Sequence, residues 1–129
     1  MEKYSLFFKK AEEDIDTLSD YIGLQKGIDL QFFHLQEAVK NLLKSLLSFY
    51  HIDIDVEDHI DLLIELIEEK TTIKLPEKDT LYDLSFIPFE NGCASSIIYE
   101  KFPVDFVKTV QILKEFVEEE IGKENLISS

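Results

Sequence analysis

The chain has 129 residues and carries 27 acidic side chains against 13 lysines, with no arginine, for a formal charge of −14. Nucleic-acid binding is disfavoured from the outset, because phosphate backbones are held by Lys and Arg, and the planar two-pronged grip belongs to Arg alone. The length fits one domain, and an apolar share of 45% is enough for a buried core.

Apolar spacing is helical along almost the whole chain. Phe7, Ala11, Ile15, Leu18 and Ile22 step by three or four, with Glu12, Glu13, Asp16 and Asp20 on other faces. This predicts an amphipathic helix that stops near Gly23 and Gly27. Asp29 is placed to cap a second helix, whose apolar positions include Phe33, Leu35, Ala38, Val39, Leu42, Leu43, Leu46, Leu47 and Phe49. That face is wider than one stripe, which places the helix centrally or at an oligomer contact. Phe32 and Phe33 are adjacent and cannot both face one core, so one of them meets another surface or packs under a loop.

Residues 51–58 alternate briefly in a strand-like way but have no partner strand, so an extended connection is expected. A third helix follows with Ile60, Leu63, Ile64 and Ile67 inward, capped by Asp55 or Asp58 and ending before Thr71. Pro76 is expected in the first turn of a short fourth helix with Leu81, Leu84 and Ile87, broken by Pro88. Residues 88–102 read as a long loop. Pro103 opens a last helix with Val107, Val110, Leu113, Phe116, Val117 and Ile121 as its buried stripe. The expected fold is all-α: an antiparallel up-and-down bundle of four main helices plus one short one, forming a single domain over residues 1–129.

Acidity is uneven. Residues 1–50 hold eight acids and six lysines, while residues 51–129 hold nineteen acids and seven lysines. The single cysteine, Cys93, has no partner for an internal disulfide, and no apolar run approaches the roughly 20 residues needed to span a bilayer. A soluble cytoplasmic protein is expected.

Chemistry-bearing clusters are few. An EF-hand loop counted from Asp53 would need Gly sixth and Glu twelfth, where Asp58 and Ile64 stand. His51 and His59 with a carboxylate match no defined zinc spacing, and the alternative is an acidic, solvated connection feeding a helix N-terminus. His34 and Glu37 form only a reversed fragment of the bundle di-metal pattern. No glycine-rich phosphate loop occurs, so neither a metal nor another cofactor is expected.

The run from Phe33 to Leu47 resembles the signature helix of HEPN domains, the higher-eukaryote and prokaryote nucleotide-binding family. The family pattern Gln-x-Ala-x-Glu-Lys-x-Leu-Lys-Ala-Leu-Leu is matched at Gln36, Ala38, Leu43, Lys44, Leu46 and Leu47, with departures at Lys40 and Asn41. Three further segments resemble the family in the same order: Ala11-Glu12-Glu13-Asp14-Ile15, His59 followed by Leu62 and Leu63, and Lys101-Phe102-Pro103.

The resemblance implies a helical bundle, commonly a homodimer, that pairs with a small nucleotidyltransferase and takes part in nucleotide binding, in some members within toxin–antitoxin systems. Many members are ribonucleases with an Arg-x(4–6)-His motif, which a chain without arginine lacks. The reading is therefore a noncatalytic binding subunit, with no catalytic residues assigned. Candidate ligand contacts are Gln36, Lys40, Lys44, Tyr99 and Lys101, with Lys40 and Lys44 one turn apart and able to converge on one phosphate. The alternatives are a degenerate ribonuclease using Lys101 with His34 or His59, and a plain protein-interaction bundle.

Overall fold

The structure, a computed structural model, describes residues 2–24, 28–54, 59–85, 104–122 and 125. Among them are five helices and no strand: α1 (Lys3–Gly23), α2 (Ile28–Phe49), α3 (Ile60–Lys70), α4 (Lys78–Ser85) and α5 (Val104–Ile121). The all-α bundle expected from the periodicity is the architecture observed. No described helix is long and apolar enough to cross a membrane.

α2 is the hub. It packs against α1, α3, α4 and α5, and its largest interface is with α1. The wide apolar face explains this position: Phe32, Leu35, Ala38, Val39, Leu42, Leu43, Leu46 and Leu47 are all fully buried. A helix apolar over more than one stripe needs neighbours on several sides. α1 and α2 run in opposite directions, since Tyr4 meets Ser45 and Phe49 while Tyr21 meets His34.

Adjacent phenylalanines separate by facing. Phe32 is 0% exposed and stacks edge-on with Phe106 of α5, whereas Phe33 is 49% exposed. Phe33, expected in the apolar face, thus lies outside it. A 100° step between neighbours sends only one of them inward. In α1 the inward residue is Phe8 rather than Phe7, in register with Ser5, Ala11, Ile15 and Leu18. Phe7 sits at the flank of that stripe.

Helix starts differ from expectation. α2 begins at Ile28, so Asp29 lies inside its first turn instead of ahead of it. His59 occupies the N-cap of α3 without a side-chain cap bond, and Asp55 and Asp58 lie outside the described residues. The donor at Asp61 is instead satisfied across the fold: its backbone N–H donates to Ser85 Oγ at 3.1 Å, and that hydroxyl donates to Asp61 Oδ1 at 3.2 Å. A hydroxyl at the end of α4 does what a local cap would do. Pro76 lies in a turn before α4 and not in its first turn, followed by Glu77 with φ 55°.

The end of α2 has a definite geometry. His51 N–H donates to Ser48 O at 3.1 Å and Ile52 N–H to Leu47 O at 2.9 Å, with His51 at φ 57°. This pair of bonds around a left-handed residue is a Schellman motif, and Ile52 packs back on the core as that motif favours. Glycine usually holds the left-handed position, because a side chain there crowds the following carbonyl. Here a histidine holds it.

Candidate functional site

The candidate contacts divide between two places. Gln36 donates through Nε2 to the Leu84 carbonyl at 2.8 Å, which ties α2 to α4. Lys40 Nζ lies 3.6 Å from Glu37 Oε2 on its own helix. Gln36 and Lys40 line a small pocket of about 220 Å³ together with His59, Ile60 and Ser85. Lys44 belongs elsewhere: its ammonium sits 5.9 Å from the centre of the Phe7 ring on α1, a cation–π arrangement. Lys40 and Lys44 therefore line different pockets. Tyr99 and Lys101, like Cys93, lie outside the described residues.

Lys44 lines a cleft of about 450 Å³ between the first turn of α1 and the end of α2. Lys3, Tyr4 and Phe7 form one wall, and Lys44, Ser48 and His51 the other. The walls are tied together. Ser45 Oγ donates to the Tyr4 carbonyl at 2.7 Å, and the Tyr4 and Phe49 rings meet edge to face at 5.2 Å. Lys44 and Ser48 are four residues apart and share a helix face, and His51, in its left-handed turn, lines the same cleft. Sequence periodicity shows Lys44 and Ser48 on one face, but nothing in it marks His51 as the helix terminator.

His34 is engaged structurally. Its Nδ1 lies 3.1 Å from Asp14 Oδ1, its ring meets Tyr21 at 5.4 Å and Phe33 at 5.2 Å, and Asn41 donates to Asp14 Oδ2 at 3.2 Å. No group of three His, Cys, Asp or Glu side chains able to hold a metal occurs among the described residues.

Two phenols outside these pockets are perturbed. Burial, reinforced by the hydrogen bond to Glu120 Oε2 at 3.1 Å, raises the Tyr50 pKa above its ordinary value. Burial also raises that of Tyr82, against the opposing pull of Lys78. Lys78 is held protonated to higher pH chiefly by Glu68, 2.7 Å away.

Most of the helix pattern that carries the HEPN resemblance is used for packing. Ala38, Leu43, Leu46 and Leu47 are fully buried and Gln36 is bonded to a neighbouring helix. Comparison with known protein families, with curated proteins and with solved structures returns no match.

Proposed function

We propose that the chain is a noncatalytic, HEPN-like binding subunit that forms a homodimer, pairs with a small nucleotidyltransferase-type protein and contributes to nucleotide or substrate binding, as in toxin–antitoxin pairs. The observation that carries the dimer is Phe33, 49% exposed on the central helix, with Leu30 one turn away at 48%. Leu24, 67% exposed, ends α1 at the same end of the α1–α2 pair. In a molecule of charge −14, two copies repel through most of their surface, and exposed apolar side chains repeated by a twofold axis are where they can meet. The same acidity suits a basic partner through charge complementarity. The family resemblance supplies the identity of that partner.

Light scattering on the eluting protein tests the dimer: the wild type runs as a dimer and Phe33→Asp as a folded monomer with an unchanged helical spectrum. A wild-type monomer at tens of micromolar would sink it. Copurification with a small nucleotidyltransferase tests the partner.

A degenerate ribonuclease is the second reading; the sequence offers Lys101 with His34 or His59 for it, and although Lys101 lies outside the described residues, Lys40 lines one pocket with His59, Gln36 and Ser85. Cleavage of a phosphodiester needs a cation near the phosphorane and a group that moves a proton, and Lys40 and His59 are of the required types. Incubation with total RNA decides it: cleavage lost in His59→Ala supports it, and no cleavage by the wild type removes it.

A further inference from the structure

We infer that the cleft between the first turn of α1 and the last turn of α2 binds the phosphate group of an organic phosphomonoester. The inference is drawn from Lys3, Lys44, Ser48 and His51, which line the cleft, and deepens the nucleotide or substrate binding of the proposed function, on which it rests, since Lys44 is also a position that carries the family resemblance; it does not involve Phe33. Lys3 and Lys44 supply cations from two helices, Ser48 a hydroxyl donor and His51 a ring N–H. The backbone N–H groups of Lys3 and Tyr4 open α1 and have no partner one turn back within the helix, so the positive end of its dipole lies at the same place.

Three features separate this cleft from a surface scatter of lysines. The Lys44 stem is half-buried, with its ammonium set against the Phe7 ring, which fixes where the charge stands. His51 occupies a left-handed position that glycine fills at lower cost, so the imidazole is present at a conformational penalty. Among the described residues the local charge balance is also less acidic than that of the chain. A groove of about 490 Å³ adjoins the cleft, sharing Lys3 and Phe7 and adding Leu6, Lys9, Lys10 and Glu13. Among the described residues, Lys3 and Lys44 line the cleft with Glu2 and Asp53, and the groove adds Lys9, Lys10 and Glu13, whereas in the whole chain acids outnumber lysines twofold. Lys3, Lys9 and Lys10 have no described carboxylate within ion-pairing distance.

Glu2 and Asp53 oppose a bare polyanion, and the groove beside Leu6 and Phe7 offers apolar contact. Together these favour one phosphate group joined to an apolar substituent over inorganic polyphosphate. A soluble ester and a phospholipid headgroup both have that chemistry.

Titration calorimetry with phenyl phosphate and with inorganic phosphate, together with cosedimentation on phosphatidylcholine vesicles with and without phosphatidic acid, tests the site. Binding of phenyl phosphate without a vesicle response assigns a soluble ester, and sedimentation only with phosphatidic acid assigns a headgroup. In the responding arm, Lys44→Ala lowers affinity about tenfold or more, as loss of a charge-assisted contact predicts. His51→Gly, which suits the left-handed backbone, also weakens binding while the melting temperature is kept or raised, which separates a contact from a folding defect. No binding in either arm, or equal binding by both variants and the wild type, overturns the inference.

Discussion

Asp14 and Asn41 meet across the α1–α2 interface at 3.2 Å while the other oxygen of the same carboxylate faces His34 at 3.1 Å, so one side chain on α1 spans two turns of α2. His34 and Asn41 are seven residues apart and share a helix face, which is why a single carboxylate can reach both. The contact also fixes register. A slide of α1 by one turn along α2 would lose both bonds.

Asp14→Ala is therefore expected to destabilise the fold by about 1–3 kcal/mol, the range for leaving partly buried donors without their acceptor. Urea unfolding measures it. A double-mutant cycle with Asn41→Ala is expected to give a coupling of about 0.5 kcal/mol or more, whereas additive losses would show that the pair acts independently.

Two residues hold left-handed backbone that glycine adopts more easily, His51 at φ 57° and Glu77 at φ 55°. His51→Gly and Glu77→Gly are each expected to add about 0.5–1 kcal/mol, the gain from relieving the side-chain clash less the extra freedom glycine brings to the unfolded chain. Thermal melts report both. A loss of stability at either position would mean that the existing side chain contributes more than its backbone conformation costs.

Alkaline titration should show Tyr50 and Tyr82 losing their protons late. Both have pKa values raised in the fold, chiefly by burial. The folded state then keeps its protons to higher pH than the unfolded state does. Their contribution to stability is complete below the ordinary tyrosine value near about pH 10 and is lost as pH rises through the higher folded values. Phenolate absorbance followed against pH is expected to show a late-titrating component that shrinks in Tyr50→Phe and in Tyr82→Phe. A wild-type curve centred at the ordinary value for every phenol would contradict the shift.

Helix type and facing were legible where one stripe decides them. The four apolar positions read from α3, Ile60, Leu63, Ile64 and Ile67, are its buried residues. Paired aromatics were harder, because Phe7 and Phe8, like Phe32 and Phe33, straddle the stripe edge and tertiary packing chooses between them. The candidate pockets were less legible still. Gln36 finds the Leu84 carbonyl across 48 positions, and Ser85 caps α3 from 24 positions away. No local pattern encodes such meetings. Where α2 ends was hidden for a different reason: the usual sign of a Schellman motif is a glycine, and His51 carries none.

The central place of α2, with α1 as its largest neighbour, has a consequence for the order of assembly. Only four positions separate Gly23 from Ile28, so these two helices close a short loop and lose little chain entropy in meeting. Docking α5 onto α2 instead closes more than fifty positions. In chevron kinetics, Leu18→Ala in α1 is expected to slow folding, whereas Val117→Ala in α5 mainly speeds unfolding. The reverse pattern would place the nucleus at the α2–α5 contact. The expected nucleus is thus the hairpin that carries the Asp14 contacts, with the remaining helices docking onto it.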